Sequence, residues 1–370
     1  MKFVSLRSNI KDAVVAVSRA VSENVNLPIL RNIIIIVDSN TISITATNLE
    51  LAITVNISGK IIEPGRITIP VNILLNLVNN IQSDRLNFES HGDNLEIKTD
   101  NYNATIQGLP ADDFPITPKI GEKNYYLEIK GIFLKEAVQQ TIIATQFSDV
   151  RPELSSVLFD FSLEVLKCVA TDGFRLGEKT LAHNLFVSKF TDPFRLLIPL
   201  KTTQELVRII NNEDTVRMYW DKNQVLFKTE TIEIISRLSE GNFPDYSSII
   251  PKSFATEIVF SREEFLNAIK LAAVFGQKNN ELKISIHPNK KAIEVASADQ
   301  TFGENNYFLS AKIKGRPLET IFNIHYLTDV ARVLSGDEIL IGLQEDVNPA
   351  LIKSTSDESY IYILKPIMNA

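Results

Sequence analysis

Few side chains in this chain could do covalent or metal chemistry. There is one cysteine, Cys168, and there are four histidines, His91, His183, His287 and His325, in unrelated contexts. A reactive thiol needs a charged neighbour and a metal centre needs ligands at short, repeated spacings. Neither pattern occurs, so the sequence predicts no metal and no cofactor. Cys168 alternates with Lys167 in the strand-like run Leu166–Ala170, the setting of a small buried hydrophobe. Asp112 with Asp113, and Glu122 with Glu128, are carboxylate pairs in stretches that read as solvated loops, and no phosphate-binding or dinucleotide glycine fingerprint occurs among the 14 glycines. The chain reads as having no catalytic residues.

Two other features remain. Basic residues recur on helix-like segments: Lys11 and Arg19, Lys130 and Lys135, Lys201 and Arg208, Arg262, Lys270 and Lys278, Arg332. Lys plus Arg is 38 against 45 Asp plus Glu, a formal charge of −7, which excludes general basicity as a mode of nucleic-acid binding. The bland reading is a set of solvated faces, since Asp12, Glu136, Glu205, Glu263, Glu264 and Asp329 share them. The functional reading is a track of phosphate contacts that reads no bases. The second feature is apolar: Thr171–Leu176, Phe243–Tyr246 with Ile249, and the terminus Tyr362–Met368. A terminus this apolar is docked, either as a last edge strand or as the wall of a groove for a partner's hydrophobic peptide.

The elements that position these residues repeat. Arg66–Pro70, leading to Leu77, Val78 and Ile81, recurs 129 residues later as Arg195–Pro199, leading to Leu206, Val207 and Ile210. Phe114–Pro115 recurs as Phe243–Pro244, and Thr45–Asn48 as Val169–Asp172. A fainter third copy matches Val295–Ser297 to the latter mark and Phe322–Leu334 to the post-proline segment, with Asn323 in place of the proline. Each copy opens with an apolar stripe at helical spacing: Ile10, Ala13, Val14 and Val17; Phe133, Leu134, Ala137 and Val138; Phe265, Leu266, Ile269 and Ala272. Ser261 and Glu264 stand at capping-box spacing. Short strand patterns fill the rest, among them Thr41–Ala46, Leu51–Ile57 and Leu95–Thr99.

A 370-residue chain with 44 % hydrophobic and 22 % charged residues is globular and long enough for several cores. The repeat divides it into α+β units at 1–122, 123–252 and 253–370, with linkers over 117–124 and 250–255. Met1–Val15 carries Lys2, Arg7, Lys11 and Asp12, and the longest aliphatic run is Ile33–Val37, far short of the ~20 residues of a membrane span. With a single cysteine, this predicts a cytoplasmic protein without a membrane partner.

In order along the chain, the sequence resembles the bacterial DNA polymerase III beta subunit family, the sliding clamps. The resemblance rests on Met1–Phe3, Leu27–Leu30 with Asn32, Thr45–Glu50, Leu109–Ala111 with Asp113–Pro115, Ala144–Phe147, Ala170–Leu176, Phe243–Tyr246 and Pro366. It implies three clamp-fold domains per chain, a head-to-tail homodimer ring round double-stranded DNA, and a non-catalytic processivity factor. Its implied partners are the DNA polymerase III alpha subunit, the clamp loader, and other polymerases and repair proteins with clamp-binding motifs. Twelve helices at 8–10 Å spacing make a circle of ~34 Å, leaving roughly 24 Å after helix radii, enough for a duplex of roughly 20 Å; six would not.

Matched residue by residue, the family's peptide cleft falls on Leu154, Thr171, Gly173, Phe174, Arg175, Leu176, Pro244, Ile249, Val347, Pro349, Ile363, Leu364, Pro366, Ile367 and Met368, with Arg175 as a polar rim. Phe174, Ser248 and Lys365 depart from the histidine, arginine and methionine of the best-studied members. The DNA-facing set is Lys11, Arg19, Lys135, Lys201, Arg208, Arg262 and Lys270. Asn24 occupies an arginine position, and Pro152 and Glu153 stand where tyrosines occur. The dimer contact falls on Val274 and Phe275 opposite Ala104, which replaces a phenylalanine. Two competing readings are a paralogous clamp scaffold serving a different partner and an α+β enzyme assembled across the repeats.

Overall fold

A computed structural model describes residues 1–22, 26–118, 120, 125–148, 150–275, 280–299, 301, 303–345 and 348–368. Asn24, Val347 and part of the first linker therefore lie outside the described residues.

The elements run three times through one order. The first copy is β1 (Lys2–Leu6), α1 (Arg7–Val17), β2 (Asn32–Val37), β3 (Ile42–Thr47), β4 (Leu51–Ile57), β5 (Gly59–Glu63), β6 (Gly65–Pro70), α2 (Val71–Asn80), β7 (Arg85–His91), β8 (Asn94–Lys98) and β9 (Asn103–Gln107). The second is β10 (Leu127–Lys130), α3 (Gly131–Ile142), β11 (Ser156–Phe161), β12 (Val165–Thr171), β13 (Arg175–Ala182), β14 (Phe186–Ser188), β15 (Phe194–Pro199), α4 (Leu200–Ile209), β16 (Thr215–Trp220), β17 (Gln224–Lys228) and β18 (Ile232–Arg237). The third is β19 (Thr256–Ser261), α5 (Arg262–Ala272), β20 (Glu281–His287), β21 (Ala292–Asp299), β22 (Gly303–Gly315), β23 (Leu318–Asn323), α6 (Ile324–Val333), β24 (Glu338–Leu343), β25 (Ala350–Ser354) and β26 (Tyr360–Leu364). The third copy has one strand fewer because β22 does the work of two. It pairs with β21 through Gly303–Ser310 and with β19 through Ala311–Gly315, whereas β4 and β5 break at Ser58.

The chain forms two compact units: Met1–Ile132 with Phe186–Phe190 and Arg208–Leu238, and Phe133–Leu185 with Thr191–Val207 and Ser239–Ala370. The second copy is thus divided between them. In the first unit the sheets run β5-β1-β7-β8-β9 and β14-β10-β16-β17-β18-β4-β3-β2-β6. In the second unit one sheet runs β15-β11-β12-β13-β26-β25-β24-β19-β22-β21-β20-β23. Among the described residues every pairing is antiparallel; β8 and β21 alternate buried and more exposed residues, whereas β2 and β11 are buried along nearly their whole length.

Helices form where the apolar stripe predicts them. Ile10, Ala13, Val14 and Val17 of α1 are buried, and α1 packs on α2 and on β3 and β4. In α5 the buried stripe is Phe265, Ala268, Ile269 and Ala272, so Ala268 takes the place expected for the half-buried Leu266. The Ser261 hydroxyl accepts from the Glu264 amide at 3.4 Å, and the Asn323 carboxamide accepts from the His325 and Tyr326 amides, capping the one second helix of a copy that no proline precedes. One backbone bond marks the start of the first helix in each copy: Arg7, Gly131 and Arg262 donate their amides to the Asp84, Asp214 and Asp337 carbonyls at 2.9, 2.7 and 2.8 Å. No helix among the described residues is long and apolar enough to cross a membrane.

Candidate functional site

The apolar region chosen from sequence begins at the β12–β13 turn. Asp172 Oδ1 accepts from the Phe174 and Arg175 amides at 2.9 and 3.0 Å, and Thr171 Oγ1 accepts from the Gly173 amide at 3.1 Å. The closed turn needs a left-handed residue, and Gly173 supplies it at φ 90°. The first copy builds the same turn with Thr47 and Asn48 and places Leu49 at φ 76°. The turn lifts Phe174 into solvent, 63 % exposed, and sends Leu176 wholly inside.

Strand β26 adds to β13 in the register Arg175 to Leu364 and Leu176 to Ile363. The tail beyond is held by two backbone bonds, the Lys365 amide to the Phe174 carbonyl at 2.9 Å and the Ile367 amide to the Ile321 carbonyl at 2.7 Å. This is the docking that an apolar terminus requires. Leu176 and Ile363 pack with Leu158, Val169, Leu197, Tyr246 and Leu351, flanked by Phe243 and Ile250. Phe243 meets Tyr246 edge-on at 6.0 Å.

The expected cleft residues therefore separate into layers. Phe174, Pro244, Ile249 and Met368 are exposed, Pro349, Pro366 and Ile367 half-buried, and Leu154, Leu176, Ile363 and Leu364 buried; Val347 lies outside the described residues. Leu158, Val169, Leu197 and Leu351, which sequence reasoning missed, form the support under Leu176. Their signal was the cross-strand register, Leu158 opposite both Val169 and Leu197.

Arg175 is not the open polar rim expected from sequence. Its side chain is 10 % exposed, bonded to Asp172 at 3.0 Å and Asp329 at 2.7 Å, and lies 3.9 Å over the Tyr326 ring. Burial alone would lower its pKa, but Tyr362, Asp329 and Asp172 outweigh that and raise it. It is a permanent cation that ties the turn to α6. Four residues on, the buried Lys179 ammonium bonds Glu136 of α3 at 2.7 Å and Asp357 of the β25–β26 turn at 2.9 Å.

Of the basic helix residues, Arg19, Lys201, Arg208 and Lys270 are exposed and Lys11 and Lys135 half-buried. Lys201 lies over the Phe147 ring at 5.4 Å. Arg262 is committed elsewhere: Nε donates to the Gly336 carbonyl at 2.8 Å and an Nη to the Ala331 carbonyl at 3.3 Å, satisfying the end of α6. Arg7 does the same for Val78 at the end of α2, so this is a repeated structural device. Val274 is 58 % exposed, Phe275 and Ala104 half-buried.

Cys168 is wholly buried, and desolvation drives its thiol pKa far up, which removes it as a nucleophile. Among the described residues the one group of potential metal ligands is Glu89, His91 and Glu96, whose carboxylates are bound by Lys2 at 2.9 Å and Lys98 at 2.6 Å.

Against known proteins, the chain matches the models of the DNA polymerase III beta subunit in three parts: the N-terminal domain over residues 1–118, the central domain over 128–245 and the C-terminal domain over 247–368. It is 29 % identical over 380 residues to the beta sliding clamp of Bacillus subtilis, covering 99 % of each chain. The crystal structure of the DNA polymerase sliding clamp from Bacillus subtilis matches with a TM-score of 0.93 at 28 % identity, and the DNA polymerase III beta subunit from Thermotoga maritima with 0.91 at 25 %, each covering 100 % of both chains.

Proposed function

The chain belongs to the DNA polymerase III beta subunit family, the sliding clamps, which are non-catalytic processivity factors of three α+β domains, and from that premise we propose how its own residues do the work. Two copies close head to tail round double-stranded DNA. The observation that carries this is a repeated strand junction. The last strand of the second copy, β18, adds to β4 of the first, and the last strand of the third, β26, adds to β13 of the second. Among the described residues that leaves the last strand of the first copy, β9, unpaired on one side, and likewise the Gly303–Ser310 half of β22. A second copy offers each edge the partner that its counterparts already have.

Within each chain the domains are 1–122, 123–252 and 253–370, and Val274, Phe275 and Ala104 belong to the seam between protomers. The surface of Phe174, Pro244, Ile249, Pro366, Ile367 and Met368, over a floor of Leu176 and Ile363, takes a short hydrophobic peptide from the DNA polymerase III alpha subunit, the clamp loader, or other polymerases and repair proteins. Leu154, Thr171, Gly173, Pro349 and Leu364 shape its walls. Lys11, Arg19, Lys135, Lys201, Arg208 and Lys270 face phosphates, while the net charge of −7 keeps the rest of the surface from binding the duplex tightly. The test is processive synthesis on a primed circle with the cognate polymerase and loader. Long products that require this protein support the reading. Ring formation without any gain in product length would favour a paralogous scaffold.

A further inference from the structure

The internal junctions fix where the protomers meet, residue by residue; this inference rests on the head-to-tail reading above. Pro70, Pro199 and Asn323, each just before a second helix, lie opposite Asn32, Ser156 and Glu281. Counting along the ladders from these marks makes Ala46, Ala170 and Ser297 equivalent, and therefore their cross-strand partners Ile53, Gly177 and Asn305. This moves the third copy one residue from the match suggested by sequence, where Ala296 stood against Ala170. Starting instead four residues before each first helix, Phe3, Leu127 and Ile258 lead through Phe88, Met218 and Ile341, then Ile97, Phe227 and Ile352, to Ala104, Ile234 and Tyr362. Both internal junctions obey one register: Ile234 opposite Ile53, and Tyr362 opposite Gly177.

We infer that the seam between protomers keeps this register, so that Asn305 stands opposite the partner subunit's Ala104, and that it is the polar and least tightly packed of the three kinds of junction. The next pairs are Glu304 with the partner's Thr105 and Asn306 with the partner's Asn103. Inside the chain the first of these corresponds to Ala52 with Ile235 and Leu176 with Ile363, and the second to Thr54 with Glu233 and Glu178 with Ile361. The apolar pair of each junction sits in a cluster that also takes in a residue of the linker between copies, Ile120 with the first and Ile250 with the second. No linker joins separate chains, and each of the three seam pairs contains a polar residue. Asn305 Oδ1 is buried without a hydrogen-bond partner in the single chain, a polar atom where the first copy has Ile53 and the second Gly177. Phe275 supports the same alignment: its ring is 3.9 Å from where a Cβ on Gly303 would lie, beside the position set against the partner's Ile106.

The test is a pair of cysteines in one chain, Ala104→Cys with Asn305→Cys, oxidised mildly and run on a non-reducing gel; the buried Cys168 contributes no background thiol. Paired strand positions lie within disulfide reach, whereas a shift of one residue turns the side chains to opposite faces. At least tenfold more cross-linked dimer is expected than from Ala104→Cys with Glu304→Cys or with Asn306→Cys. Preferential cross-linking of either shifted pair, or none in a protein that sediments as a dimer, overturns the register while leaving the ring reading intact. A monomer well above micromolar concentration overturns the ring reading as well. Independently, Ala104→Ile with Asn305→Ile, which recreates the Ile234–Ile53 pair, is expected to lower the dimer Kd at least tenfold; an unchanged Kd contradicts the claim that polarity weakens this seam.

Discussion

Phe174 and Leu176 stand two residues apart and answer to different forces. Leu176 belongs to the core cluster and is fully buried, so Leu176→Asp would place an unpaired charge inside and unfold the protein. Phe174 is 63 % exposed, and Phe174→Asp is expected to change stability by less than about 1 kcal/mol. Burying a phenylalanine contributes roughly 1.5–3 kcal/mol, so the same change should weaken a hydrophobic clamp-binding peptide by about tenfold or more. Fluorescence anisotropy with such a peptide, alongside thermal melting, separates the two effects; unaltered affinity would remove Phe174 from the site. Arg175 gives the opposite pattern. Its removal leaves Asp172, 2 % exposed, buried beside no cation, and Arg175→Ala should cost about 3–5 kcal/mol in urea unfolding. None of this layering was legible in sequence. The apolar types showed that the segment is special, but which side chains face solvent depends on the Thr171–Arg175 turn and on the strand that β26 adds from 185 residues away.

At the scale of elements, the helix stripes were legible because their spacing is local, and so was the Ser261 cap. The 13-residue β22 was not: its two halves serve two pairings that only the tertiary fold brings together. The role of Arg262 was likewise invisible, since its acceptors lie 69 and 74 residues away. Arg262→Ala is expected to lower stability by roughly 1.5–3 kcal/mol, the scale of charged hydrogen bonds, without altering the salt dependence of DNA binding. Lys270→Ala should leave stability alone and, if that lysine neutralises one phosphate, reduce the salt slope by about 1. Titrating DNA binding against salt for both variants checks this assignment. The tie of Lys179 to Asp357 adds a pH dependence. Burial would raise the Asp357 pKa, but its bonds from Ser359 and Lys179 prevail and hold it below the ordinary 3.8. A carboxyl depressed in the folded state stabilises above its unfolded pKa and loses that contribution as pH falls through its folded one. Acid unfolding profiles below about pH 4 should therefore be shallower for Asp357→Asn than for the parent; identical profiles would mean that the tie does not respond to acid.

For the whole molecule, the net charge of −7 and a DNA partner are compatible because a ring does not depend on affinity. The threefold repeat was legible in the first two copies, where Pro70 and Pro199 mark the same place. It was blurred in the third, where Asn323 replaces the proline and the strand match slips by one residue. Topology makes a demand that no set of contacts can imitate, and it supplies the most direct measurement. The protein is loaded on nicked circular DNA with its clamp loader and ATP, then passed through a sizing column at about 0.5 M salt, where ordinary phosphate contacts are screened. Co-elution with the circle, followed by loss once the DNA is linearised, is the predicted result. Dissociation from the intact circle at that salt, or retention on the linear form, would contradict encirclement.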